Sequence, residues 1–155
     1  MSLETITPKV SYTSDNSVGY VYLSDPIEFV TLVNNVRTMI RISLTRIEVT
    51  GIYQAKKTIN GVYFEIAFSD TPVGQTPKYT TQNVTLKQGP YNFNNSNTNT
   101  QPTSIVYKNI TVSFSSMVLS NNRSGNTLFI DMPEINVKVD GELVKTIDIE
   151  NTHVD

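Results

Sequence analysis

The chain carries one histidine, His153, and no cysteine, so few side chains are available for acid–base or nucleophilic chemistry. A hydrolytic triad needs a base held rigidly beside its nucleophile, and position 153 of 155 lies where chains commonly fray. A zinc site built by this chain alone lacks the nitrogen and sulfur ligands that zinc requires. Carboxylates are present but scattered. Glu28, Glu48 and Glu65 occupy polar positions of strand-like runs, Asp25 and Asp140 fall in turn-like dipeptides, and Asp148 and Glu150 lie near the end. None of these can be placed as a pair at the separation that glycoside hydrolysis demands. No Asp-x-Asp-x-Asp-Gly calcium loop occurs, and the seven glycines are spread singly, not gathered into a phosphate loop. These named absences predict a non-enzymatic protein without metal or cofactor.

Two groups of residues remain that can make contacts. Three of the four arginines, Arg37, Arg41 and Arg46, fall within ten residues. On a strand Arg37 and Arg41 share a face, where they either form a patch for a carboxylate or phosphate or pair across strands with Glu28 or Glu65. The second group is aromatic: Tyr79, Tyr91 and Phe93 sit in a polar stretch where a core cannot easily use them. Exposed tyrosine offers large area and a polar tip at low entropy cost. It can stack on a sugar, anchor a protein interface, or fold back to pin its own loop. The candidate interaction surface is therefore Tyr79, Tyr91, Phe93, Arg37 and Arg41.

The elements that must position these residues are strands. The apolar set contains 17 Val and 14 Ile against 8 Leu and 2 Ala. β-Branched side chains lose rotamer freedom in helices and pack well on a pleated surface, whereas Ala and Leu are the strong helix formers. Asn, Thr and Ser, at 16, 20 and 14 residues, replace the usual charge, which amounts to only 17%. At 155 residues the expectation is one domain spanning 1–155, an antiparallel all-β sandwich, jelly-roll-like, of eight to ten strands.

Alternation places strands at 18–22 and 27–33, the latter broken by Asn34-Asn35. Over 36–53, Ile40, Ile42 and Leu44 share a parity that Ile47 and Val49 reverse, which a strand accommodates with a bulge near Thr45-Arg46. The three-and-four spacing of Val33, Val36, Ile40, Leu44 and Ile47 also fits a short helix. Asn60-Gly61, between Tyr53–Ile59 and Val62–Phe68, predicts a type I′ hairpin. Residues 69–104, with Pro72, Pro77, Pro90, Pro102 and an Asn/Thr-rich run, read as a long polar loop or arm holding one short strand at 83–87. Val106, Ile110, Val112, Phe114 and Val118 share the parity of a half-buried strand, and Leu128 to Met132 make another. Around Asp140-Gly141, a three-residue loop Val139-Asp140-Gly141 sets Ile135, Val137, Leu143 and Ile147 on one face.

Net charge −2 and a pI near 5.4 offer no basic field for nucleic acid. No apolar run approaches the roughly 20 residues of a membrane span. The opening Met-Ser-Leu-Glu-Thr-Ile-Thr-Pro has neither the basic nor the apolar region of a signal peptide. Sequons at Asn83, Asn94, Asn109 and Asn122 are expected by chance in so Asn- and Thr-rich a chain. By composition the chain falls with virion components such as phage capsid-auxiliary, fibre and tail proteins. The expected function is structural: a protein that binds itself or other structural proteins, located in the virion. A carbohydrate-binding module or adhesin, with glycans as partner, is the second expectation.

Overall fold

A computed structural model describes residues 2–6, 18–21, 26–50, 58–86, 91–92, 98–99, 101–121, 128–149 and 152–154. These contain strands and turns, with no helix among them. The N-terminal part holds β1 (Ser2–Ile6), β2 (Val18–Val21), β3 (Ile27–Val33), β4 (Val36–Thr50) and β5 (Thr58–Ser69). The polar stretch supplies β6 (Thr80–Thr85), β7 (Tyr91–Asn92), β8 (Thr98–Asn99) and β9 (Thr103–Tyr107). The C-terminal part adds β10 (Ile110–Phe114), β11 (Val118–Asn121), β12 (Leu128–Asp131), β13 (Ile135–Val139), β14 (Glu142–Ile149) and β15 (Thr152–Val154).

These strands reduce to two antiparallel layers of four lanes each. In the first layer β4 and β5 run long, while β3 and β2 share the lane beside β4, and β6 and β7 share the lane beside β5. The second layer is ordered β14-β13-β10-β9 along one half and β15-β12-β11-β8 along the other, so each lane is one strand interrupted by a few residues. Proline explains much of this interruption. Pro26, Pro102 and Pro133 each lie at a lane break, where a residue without an N–H cannot extend the ladder. The break near Pro133 is braced across lanes: Ser115 N–H donates to the Glu134 carbonyl at 3.0 Å, and Glu134 N–H donates to Ser115 Oγ at 2.7 Å. β1 is the exception, joining the edge of β14 in parallel.

The layers close on one another through a single core. Ile40, Ile42, Leu44, Val62, Phe64, Ile66 and Phe68 face Ile110, Val112, Phe114, Ile135, Val137 and Ile147, and all are buried. Alternation is the cause, since Ile40, Ile42 and Leu44 fall on one side of β4 while Arg37, Met39 and Arg41 fall on the other. The β-sandwich is therefore established. Its lanes follow one another as hairpins, an up-and-down meander, so the jelly-roll connectivity gains no support.

Local geometry follows the sequence in some places and departs from it in others. β4 is an unbroken strand, and its register shifts between Leu44 and Arg46, at the predicted bulge. There Thr45 Oγ1 donates to the Tyr63 carbonyl at 3.0 Å, and the Arg46 guanidinium lies 4.1 Å from the Tyr63 ring centroid. Asn60-Gly61 does not reverse the chain. It lies inside β5, with Gly61 opposite Glu48 and Ile59 opposite Val49, so Asn60 is an extra residue in the ladder. β4 runs on past this point and keeps β5 paired, which turns a hairpin signal into a bulge.

The parity run from Val106 to Val118 is likewise not one strand. A reversal at Lys108-Asn109 splits it, pairing Tyr107 with Ile110 and leaving Val106 exposed on β9. The polar stretch 69–104 is a loop over residues 70–79, and its later described residues build the edge strands β6 to β9. In the last hairpin Val139 pairs with Glu142, so the loop is the two residues Asp140 and Gly141, at φ 51° and 83°. The phase correction comes from a bulge at Val144 instead of from the loop: Val137 faces Lys145 while Lys138 faces Leu143, which stays exposed.

Gly141 tests this hairpin. A Cβ there meets nothing within 4 Å, so Gly141→Ala costs only backbone strain. The expected loss is about 1–2 kcal/mol of unfolding free energy, read from the midpoint of a urea melt. An unchanged midpoint would contradict the turn as described.

Candidate interaction surface

At one end of the sandwich the turns Asn34-Asn35, Lys108-Asn109 and Asp140-Gly141 gather beside the 70–79 loop. Asp140 N–H donates to the Asn109 carbonyl at 3.0 Å, and Asn109 Nδ2 donates to Asn34 Oδ1 at 3.5 Å. Asp70 is the hub of this end. Its Oδ1 accepts from Thr38 Oγ1 at 2.6 Å, and its Oδ2 accepts from Tyr107 Oη at 3.0 Å and from Lys108 Nζ. Thr38 belongs to the first layer and Tyr107 to the second, so the carboxylate clasps the two layers together. The Tyr107 ring stacks on Phe68 at 4.4 Å between centroids, which extends the clasp into the core.

Electrostatics reinforce this geometry. Partial burial alone pushes the Asp70 carboxyl up, but hydrogen bonds from Lys108, Thr38 and Tyr107 outweigh it and hold the group below its ordinary value. The hydrogen bond to Asp70 correspondingly raises Lys108. Lys108 sits at φ 52°, a left-handed position that is uncommon for a side chain of this type.

The loop that starts at Asp70 is ordered by its own hydrogen bonds. Thr71 N–H donates to Ser69 Oγ at 3.3 Å, and Lys78 N–H donates to Thr71 Oγ1 at 3.0 Å. Gln75 N–H closes a turn onto the Pro72 carbonyl at 3.3 Å, with Gly74 at φ 90° supplying the positive φ that the third residue of a type II turn needs. Val73 is carried out at the tip, 78% exposed. Between this loop and β4 lies a cavity of about 190 Å³ lined by Arg37, Met39, Thr71, Pro72, Val73 and Pro77.

The outer face of the first layer continues the apolar surface. Leu32 stands opposite Arg37 and Val30 opposite Met39. Leu32 is 63% exposed and Val30 is exposed as well, whereas Val36, paired with buried Val33, has the inner parity and is exposed at the start of β4. Of the residues expected at the surface, Arg37 lines the cavity, while Arg41 reaches Glu28, its register partner, with Nε–Oε1 at 3.5 Å. Tyr79 is exposed, and its hydroxyl points to Met39 Sδ at 3.3 Å. Tyr91 lies on β7 opposite Ile59, with its side chain outside the described residues, and Phe93 lies outside them entirely. Arg37 and Tyr79 thus share one surface.

Sequence reasoning missed Asp70, Thr38, Lys108 and the exposed Val30, Leu32, Val36 and Val73. Only the Lys108-Asn109 dipeptide carried a readable turn signal. Among the described residues no three His, Asp or Glu side chains are grouped to hold a metal ion. Among them, too, no helix is long and apolar enough to cross a membrane. Comparison with known families, curated proteins and solved structures finds no match to this chain.

Proposed function

We propose that this chain is a non-enzymatic interaction protein, a virion-associated β-sandwich of the capsid-auxiliary, fibre or tail kind, that self-associates or docks on a larger assembly through the outer face of its first layer. The carrying observation is the exposed apolar pair Val30 and Leu32, which stand opposite Met39 and Arg37 on the outer face, beside the cavity under Val73. Exposed apolar side chains grouped on the outer side of a sheet whose inner side already fills the core are surface that a partner can cover. The clasp at Asp70 supports the same reading, because it fixes the loop that walls this surface and so lowers the ordering cost of contact.

Leu32→Asp tests the proposal. Leu32 is remote from the core, so the variant is expected to keep its melting temperature while losing self-association, or binding to assembled particles, in light scattering and sedimentation. A wild-type protein that stays monomeric, ignores particles and binds specific sugars on a glycan array, with loss on Tyr79→Ala, would replace this reading with carbohydrate recognition.

A further inference from the structure

Three arginines lie on β4, and their surroundings differ. Arg41 meets Glu28, and Arg46 lies over Tyr63. Arg37 is half-buried in the wall of the cavity, and among the described residues no ion pair or hydrogen bond answers its charge. A guanidinium covered by a partner without a counter-charge is costly, and its planar fork suits a carboxylate. Of the remaining walls, Met39, Pro72, Val73 and Pro77 are apolar, while Ser69, Thr71 and Gln75 add polar groups. The occupant therefore combines a carboxylate with an apolar side chain close by.

The molecule itself displays such a segment. The Asp140-Gly141 turn and the two residues after it place two carboxylates, Asp140 and Glu142, beside Leu143, which is 36% exposed although apolar. Gly141 gives the tip a narrow profile, with open space around it. The tip is held rigid by its two positive φ angles and by the Asp140–Asn109 hydrogen bond.

We propose that this hairpin tip docks into the Arg37 cavity of a second copy, its carboxylates meeting the guanidinium and Leu143 covering the Leu32 side of the exposed apolar pair. The inference rests on the self-association reading above and names the partner of that same surface. A cavity of about 190 Å³ exceeds the roughly 150 Å³ that accommodates a benzene-sized guest, so it admits one carboxylate side chain of the tip while the rest of the turn lies at its mouth. Donor and receptor are different surfaces of one chain, so the contact either closes as a two-fold dimer in which each copy gives and receives a tip or propagates head to tail into rings or filaments.

Charge reversal in the full chain tests it. The mass distribution of wild type, Arg37→Glu, Glu142→Lys and their equimolar mixture is measured by light scattering over a concentration series, with circular dichroism confirming the fold. Each single variant is expected to weaken association roughly tenfold or more, the effect of losing a desolvated charge pair. The mixture is expected to regain mass. There the reversed cavity of one variant meets the reversed tip of the other, and the unaltered cavity of the second meets the unaltered tip of the first. If Leu32→Asp dissociates the oligomer while both charge variants keep it, the self-association reading stands and this contact does not. A wild type that is monomeric throughout overturns the contact, and so does one whose single variants both retain wild-type mass.

Discussion

Phe114→Ala lowers the unfolding free energy by about 3–5 kcal/mol, the usual range when a buried phenylalanine is truncated and its site cannot collapse. Phe114 is buried at the end of β10, where its lane breaks before β11. Its ring lies 5.0 Å from that of Phe64, tilted by 53°. Phe64 pairs with Leu44, next to the bulge in β4, so the two rings meet where both layers depart from regular pleating. Backbone on both sides is constrained there, by the Ser115–Glu134 hydrogen bonds and by the β4–β5 register, and relaxation into the gap is limited. Against a total stability of roughly 5–15 kcal/mol, this loss removes a large share. Chemical denaturation followed by intrinsic fluorescence gives the value, and the melting temperature falls on the order of 10 °C. A loss below about 1 kcal/mol would mean that the layers are not joined at this pair.

The Asp70 clasp has the second large effect, and it depends on pH. Asp70→Ala leaves the fully buried Thr38 hydroxyl and the Tyr107 hydroxyl without their shared acceptor. Stranding such groups costs about 1–3 kcal/mol each when buried; Thr38 Oγ1 keeps only the long bond to the Val36 carbonyl at 3.5 Å and Tyr107 is half-buried, so the expected loss at neutral pH is about 2 kcal/mol. Lys108, with a side chain 55% exposed, adds little, since solvent screens and rehydrates its ammonium. The folded carboxyl binds its proton less readily than the unfolded one, whose value is near 3.8. The unfolded state therefore takes up more protons as pH falls. The clasp's contribution is complete above that value and is lost as pH drops through the lowered folded value. The difference between wild type and Asp70→Ala should accordingly be constant from neutral pH down to about pH 5 and shrink below about pH 4. Taking the difference cancels carboxylates common to both proteins. A difference that stays flat to the acid limit, or is absent at neutral pH, would show that Asp70 does not clasp the layers.

The β class, the inward parity of Ile40, Ile42 and Leu44, and the bulge at Thr45 were all legible in the sequence, because burial of one strand face imposes a period of two that local sequence displays directly. Turn chemistry was legible only as punctuation. Asn34-Asn35 and Asp140-Gly141 reverse the chain, with positive φ at both residues of each turn. Asn60-Gly61, with the stronger local signal, inserts a residue into a continuous strand. The difference lies in whether a neighbouring strand continues alongside, and no local pattern carries that.

The surface was the least legible part. Leu32 and Ile40 are both aliphatic strand residues, yet one is exposed and the other buried, because a sandwich buries one side of each sheet and alternation alone does not say which. Asp70 joins Thr38 and Lys108, 32 and 38 residues away, and contacts at that separation are set by which lanes lie across from each other.

The sequence by itself thus determined the class of structure and the shortage of catalytic groups, since both follow from side-chain type. The tertiary structure alone decided which arginine of β4 meets no counter-charge among the described residues, which apolar side chains face out, and which carboxylate holds the layers together. Each of these depends on strand pairing and layer contact, which are properties of residues distant in the chain.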